Sequence, residues 1–271
     1  MARMSVEEPN PTYVSKTPGL DGLIDYTAEE NGVWRDLFHR QMSLLEGRVV
    51  PAFFEGVVEL GLRDDRVPQL RDVDAALKRT SNFGVASVPA LISPKRFFTL
   101  LSERKFPAAT FIRRREDFDY IEEPDVFHEL FGHCPLLTIR DYADYLQRYG
   151  EIALSLPEKH LWRLQRLFWF TVEFGLIRKP DGIKIYGAGI VSSAKETPWA
   201  LEEPSVKREP FDIVTVLRTP YRIDILQPLY YVIESYEQLL HVIDQDLLGA
   251  IRKAKELGPL KPLFPPKDKA A

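Results

Sequence analysis

Two of the chain's five histidines stand close together, in the run Pro124-Asp125-Val126-Phe127-His128-Glu129-Leu130-Phe131-Gly132-His133. A neutral imidazole is a good ligand for iron, zinc or copper, and two on one short segment share the entropic cost of being positioned. Their spacing is five residues, not the four that stack two side chains on one face of a regular helix. On such a helix the rings would point well over a quarter-turn apart. Gly132, directly before the second, is the residue expected to loosen the turn and let them converge. The third residue of interest is Glu173, in Leu167-Phe168-Trp169-Phe170-Thr171-Val172-Glu173-Phe174-Gly175-Leu176-Ile177. A carboxylate in so apolar a run is expected to be buried, and a buried charge without a partner is costly enough to shift its own protonation. Positions 169, 170, 176 and 177, about one helical turn away, are all apolar. The partner must therefore come from elsewhere: a distant arginine, or a divalent metal that His128 and His133 also hold. Two histidines and one carboxylate are the set used by non-haem iron(II) oxygenases, whose open metal face receives oxygen and substrate.

The same residues admit two other chemistries. His128-Glu129 followed by a second histidine is reminiscent of the zinc hydrolase pattern H-E-x-x-H, with Glu129 as base and Glu173 as third ligand. The extra residue before His133 argues against it on a regular helix. A purely structural metal in a binding protein is the other alternative, but such sites usually recruit cysteines. The single cysteine, Cys134, reads as a small buried residue beside His133.

These side chains need a fold to bring them together, and the chain has length for one: 271 residues can bury a sizeable core. Formal net charge is -4, with acids and bases interspersed, so neither nucleic acid nor an anionic membrane is expected as partner. The basic run Arg113-Arg114-Arg115 meets Glu116 and Asp117 at once and reads as local. One cysteine excludes an internal disulfide and fits a reducing compartment. No signal-peptide core or membrane span is visible, so a cytoplasmic protein is expected. Residues 1–20 read as a flexible arm, 21–261 as one catalytic domain and 262–271 as a flexible tail.

Helical spacing dominates the interior. Trp34, Leu37, Phe38, Gln41 and Leu45 mark one helix, and Pro51 kinks or restarts it. Ser93-Pro94 is a cap and first-turn pair for a helix carrying Phe97, Phe98, Leu100 and Leu101. Tyr142, Tyr145, Leu146 and Tyr149 mark another, and a long helix follows Pro157 to about Gly175. Ser235 and Gln238 form a capping-box pattern for a last helix that runs to Gly258-Pro259. Strands are expected at 106–112, 184–186, 212–217 and 221–226. The expected class is mainly α with a few short β-strands, an α+β domain.

Four strings, PDVFHELFGH, FWFTVEFG, IYGAGIVSS and QPLYYVIES, in this order and separation, resemble the pterin-dependent aromatic amino acid hydroxylases over roughly residues 60–235. The resemblance is to the short bacterial members, which consist of the catalytic domain alone. No counterpart of the animal enzymes' regulatory domain or tetramerisation helix is seen, and a monomer is expected. The resemblance implies that His128, His133 and Glu173 bind iron(II). It places Glu129 near a tetrahydropterin and makes it needed for productive oxygen chemistry. Phe97 matches the ring that stacks on the pterin, with backbone around Ala90 and Ile92 beside it; read without the resemblance, Phe97 is a core residue. Arg113 matches the grip on the substrate carboxylate, whose paired guanidinium donors lysine cannot reproduce, and Asp125 the acid that holds it. Trp169 and Phe174 match walls around the substrate ring, and Ser192, after the Gly187-Ala188-Gly189 turn, a residue near the site.

The implied reaction is ring hydroxylation of an aromatic amino acid by O2, with tetrahydropterin as two-electron donor. Phenylalanine is the expected substrate and tyrosine the expected product. Tryptophan hydroxylases carry Phe where this chain has Trp169, and tyrosine hydroxylases an acid near Ile223. Meta-hydroxylation, or tyrosine or tryptophan as substrate, are the alternatives within the family. Three departures from the animal enzymes bear on the site: Phe168 for Tyr, Ile121 for Thr and Pro107 for His.

Overall fold

The computed structural model describes residues 13–89 and 92–266. Helices come first: α1 (Ala28–Leu45), α2 (Pro51–Glu59) and α3 (Leu70–Thr80). At the start of α1 the Thr27 side chain accepts from the Glu30 N–H while Glu30 accepts from the Thr27 N–H, a complete capping box. Its stripe of Val33, Trp34, Leu37, Gln41 and Leu45 is buried. Pro51 does restart the chain, as the first residue of α2. A parallel pair, β1 (Gly84–Ser87) with β2 (Lys105–Ala108), brackets α4 (Pro94–Ser102), whose Ser93 cap accepts from the Arg96 N–H. Then α5 (Arg140–Ser155) packs along α4, and α6 (Leu161–Phe168) follows a short 3-10 turn.

The second half supplies a four-stranded sheet in the order β4-β3-β6-β5, built from β3 (Gly175–Lys179), β4 (Gly182–Ile185), β5 (Lys207–Pro210) and β6 (Leu229–Ile233). Only β3–β4 is antiparallel; β3–β6 and β5–β6 are parallel. Every residue of β6 is buried, as an inner strand's should be. Between the strands lie α7 (Ala188–Val191), α8 (Glu196–Glu202) and α9 (Ile213–Arg218), and α10 (Tyr236–Asp244) and α11 (Leu247–Leu257) close the chain. The large buried aromatics Trp34, Phe53, Phe127, Tyr145 and Tyr230 belong to one continuous core. No helix among the described residues is long and apolar enough to cross a membrane.

Several expectations change. The segment expected as a strand at 212–217 is α9, because the Asp212 carboxylate accepts from the Thr215 N–H and caps it. Residues 221–226 form no strand; they are an irregular connection between α9 and β6. The expected single last helix is two, broken at Gln245 and restarted by Asp246, which accepts from the Gly249 N–H. Ser235 does accept from the Gln238 N–H, but Gln238 Oε1 reaches the Glu234 N–H and leaves the box half made. Of the segment read as an arm, Tyr13 stacks on Phe111 at 4.9 Å and Ser15 Oγ donates to Val88 O at 2.8 Å.

Candidate metal centre and its two flanking cavities

Residues Phe127–His133 are wound as a π-helical turn, and Trp169–Glu173 as another. A π-helical turn bonds residue i to i+5, so a five-residue spacing puts both imidazoles on one face. Convergence thus belongs to the whole turn and not to a loosening at Gly132. Gly132 serves a different purpose: a Cβ there would stand 3.1 Å from Ala188 O and 3.4 Å from Ala188 Cβ, so its absence lets α7 come close. The second π turn, closed by Phe174 N–H on Trp169 O at 2.9 Å, swings Glu173 toward the histidines. The glycine-rich string then packs against that turn: a Cβ on Gly187 would meet Glu173 O at 2.4 Å.

His128 Nε2 and His133 Nε2 face each other at 3.1 Å, and the Glu173 oxygens lie 3.6 Å from the first and 3.3 Å from the second. One donor atom from each of the three lies within 4.8 Å of the others. Ser192 Oγ donates to Ala188 O at 2.9 Å and stands 2.9 Å from His128 Nδ1, so that contact is Nδ1–H donating to Ser192. This tautomer leaves the Nε2 lone pair of His128 aimed at His133 and Glu173. Burial pushes His128 down to about 4, so the imidazole is neutral at ordinary pH. Burial alone would raise the Glu173 carboxyl, but the charge that His133 and His128 carry when protonated, with a hydrogen bond from His133, holds it below the usual carboxylate range. The His128 lone pair, the His133 ring nitrogen and the Glu173 carboxylate converging on one point fit a divalent cation, and imidazole, imidazole and carboxylate suit iron(II). Burial, then the charges of Glu173 and Asp125, push Glu129 well above its ordinary value.

Two cavities meet at this group. The first, about 270 Å³, is lined by Arg113, Ile121, Trp169, Phe174, Ser192 and Ile223 together with His128 and Glu173. The second, about 380 Å³, has Ile92, Phe97, Pro107, Glu129, Phe168 and Tyr221 around His128, His133 and Glu173. Asp125, fully buried, binds Arg113 side-on, accepting Nε at 2.8 Å and one terminal nitrogen at 2.9 Å. It also accepts the backbone N–H groups of Arg113 and His128, both at 3.0 Å. Nη1 takes no part in this pairing, and Arg113 lines the first cavity.

Phe97 is half-buried at the second cavity, edge-on to Phe168 at 5.0 Å, and not enclosed in the core. Ile223 is 53% exposed and faces the first cavity's mouth. Ala90 lies outside the described residues. The fold thus brings together the metal group, Glu129, Phe97, Ile92, Arg113, Asp125, Trp169, Phe174, Ser192 and Ile223. Sequence reasoning missed Tyr221, which stacks on Trp169 at 4.6 Å, and Phe106, whose ring centre is 4.4 Å from that of His133. Tyr221 sits in the segment expected as a strand, and nothing in its own sequence marks it.

A model of the family described as biopterin-dependent aromatic amino acid hydroxylase matches residues 16–248. The chain is 47% identical over 256 residues to the phenylalanine-4-hydroxylase of Vibrio cholerae, spanning 94% of this chain and 89% of that protein. It is similar to the solved phenylalanine hydroxylase of Legionella pneumophila, with TM-score 0.91, 49% identity, and coverage of 93% of this chain and all of that one. A Chromobacterium violaceum phenylalanine hydroxylase structure with bound oxidized Fe(III) aligns at TM-score 0.86 and 39% identity, over 91% of this chain and 89% of that chain. With the fold, the cavities and the donor set on one side and these matches on the other, the chain belongs to the biopterin-dependent aromatic amino acid hydroxylases.

Proposed function

We propose that the protein is a phenylalanine 4-monooxygenase that forms tyrosine, with Fe(II) held by His128, His133 and Glu173. The observation that carries this is the pair of cavities meeting at those three residues, one lined by Arg113 and the other by Phe97. When bound, iron and tetrahydropterin supply the activation of O2, one oxygen atom going to the amino acid ring and the other to the pterin. Arg113, fixed by Asp125, takes the substrate carboxylate and so sets how far the ring reaches toward the metal. Trp169 and Phe174, 4.3 Å apart, supply the wall against which that ring is held. Ser192 holds the ligating tautomer of His128. Phe97 offers the pterin an aromatic face, Ile92 its flank, and Glu129 a carboxyl beside the metal on the pterin side. Phe168 and Pro107 leave that side without the hydroxyl and imidazole of the animal enzymes, so pterin binding here rests more on stacking.

Phenylalanine is favoured over tyrosine because Ile223 offers a phenol hydroxyl no partner. Its 53% exposure leaves water nearby, so the penalty is about 1 kcal/mol and the preference about fivefold. The hydrolase alternative loses its support. The π turn removes the spacing objection to it, but family membership assigns the site to oxygen chemistry. A reducing compartment such as the cytoplasm fits a chain whose one cysteine is free and buried. The test is product analysis with Fe(II), tetrahydropterin and O2, supplying phenylalanine, tyrosine and tryptophan in parallel. Tyrosine from phenylalanine is the expected result; equal or faster turnover of either other amino acid overturns the assignment, and meta-tyrosine overturns the position.

A further inference from the structure

Behind the substrate-side cavity sits Gln227, 1% exposed, in the connection leading into β6. Its side chain has three partners. Oε1 accepts from Trp169 Nε1 at 3.3 Å, and Nε2 donates to Arg222 O and Ile225 O, both at 2.8 Å. The orientation is dictated by chemistry: an indole nitrogen only donates and carbonyls only accept, so a flipped amide would lose all three bonds. The backbone is held as firmly. Its N–H donates to Glu196 Oε1 at 2.9 Å and its carbonyl accepts from Trp199 Nε1 at 2.9 Å. Glu196 in turn accepts from the Tyr230 hydroxyl.

These partners are the two pieces of chain that form one wall of the pocket. Trp169 comes from the second π turn. Residues 221–225 have no regular structure of their own, yet carry Tyr221, stacked on Trp169, and Ile223, at the cavity mouth. On its far side Gln227 borders a separate cavity of about 330 Å³, lined by Phe170, Thr219, Leu229 and Tyr231 among others. A shorter side chain would leave Trp169 with space behind it, and an apolar one would withdraw Gln227's donor from both loop carbonyls and its acceptor from Trp169 Nε1.

We propose that Gln227, anchored by Glu196 and Trp199, is a positioning residue that fixes the Trp169 wall to the 221–225 segment and thereby sets which aromatic ring the pocket accepts. This rests on the reading of Trp169 and Ile223 as substrate walls. Gln227 itself lines neither of the two cavities at the metal group, so iron binding is not part of the effect.

Two variants test it. Gln227→Leu keeps the bulk and removes all three hydrogen bonds. Gln227→Glu is nearly isosteric, but sets a carboxylate oxygen against two carbonyls. Hydrogen–deuterium exchange of residues 221–225 is read first, because it needs no turnover. Both variants are expected to exchange there at least tenfold faster than wild type, with α1 and α5 unchanged. Turnover is read second. The kcat/KM for phenylalanine is expected to fall tenfold or more, and the ratio of tryptophan to phenylalanine turnover to rise at least fivefold, with iron content retained. Should Gln227→Leu fail to fold, Gln227→Glu decides. Unchanged exchange, or faster exchange with an unchanged substrate ratio, overturns the proposal. A wild-type protein that converts no phenylalanine would instead refute the functional reading, and the exchange result would still decide whether Gln227 pins the segment.

Discussion

Glu196 is a buried carboxylic acid with two donors and, among the described residues, no cation acting on it, and its replacement by glutamine has a calculable consequence. Burial raises its pKa to about 7, against the hydrogen bonds from Tyr230 and Gln227, which favour the ionised form. The ordinary value of a glutamate carboxyl is 4.5, so the folded protein binds this proton more tightly than the unfolded chain does. The contribution to stability is therefore fully present below pH 4.5 and is lost as the pH rises through about 7. Two and a half pH units at 1.36 kcal/mol each give a loss of about 3 kcal/mol. Glu196→Gln keeps an oxygen for both donors and cannot ionise. Wild type and variant should melt alike near pH 5 and diverge between pH 5 and 8, the variant gaining about 3 kcal/mol, or roughly 6–10 °C in Tm, at the upper end. Thermal melts of both proteins across that range, subtracted at each pH, isolate Glu196 from every other titrating group. A difference that stays flat, or one in which the wild type is the more stable at pH 8, would show that Glu196 remains ionised in the fold.

Replacing His128, His133 or Glu173 by Ala should abolish iron binding or turnover, since the donor set becomes incomplete; full activity with normal iron content in Glu173→Ala would remove it from the site. Arg113→Lys should raise the phenylalanine KM tenfold or more, about 1.4 kcal/mol, because one ammonium cannot serve both Asp125 and a carboxylate; steady-state kinetics that leave KM unchanged would place the carboxylate elsewhere. Ser192→Ala removes the acceptor of His128 Nδ1–H and should weaken iron affinity about 10–100-fold, read by metal titration; unchanged affinity would mean that the ring is held by packing alone. Competition between phenylalanine and tyrosine should favour phenylalanine about fivefold, for a discrimination of roughly 1 kcal/mol.

Much of this protein is legible in its sequence because it depends on neighbours in the chain. Thr27 with Glu30, Ser93 with Pro94, and Pro51 announce helix starts by bonds made within one turn. His128, His133 and Glu173 are recognisable by residue type and by the apolar run around Glu173. What sequence could not supply depends on partners far away. An apolar run such as Leu229–Ile233 is a strand only because β3 and β5 lie on either side of it, and 212–217 becomes a helix through a cap that outweighs its β-branched residues. A five-residue spacing says nothing about whether the turn is α or π; the contacts of α7 and the opposing Glu173 turn select it, and only then do the rings converge. Trp169, Gln227 and Tyr221 are likewise scattered residues until three segments meet, because hydrogen bonds and stacking act over a few ångströms while the chain between them spans tens of residues.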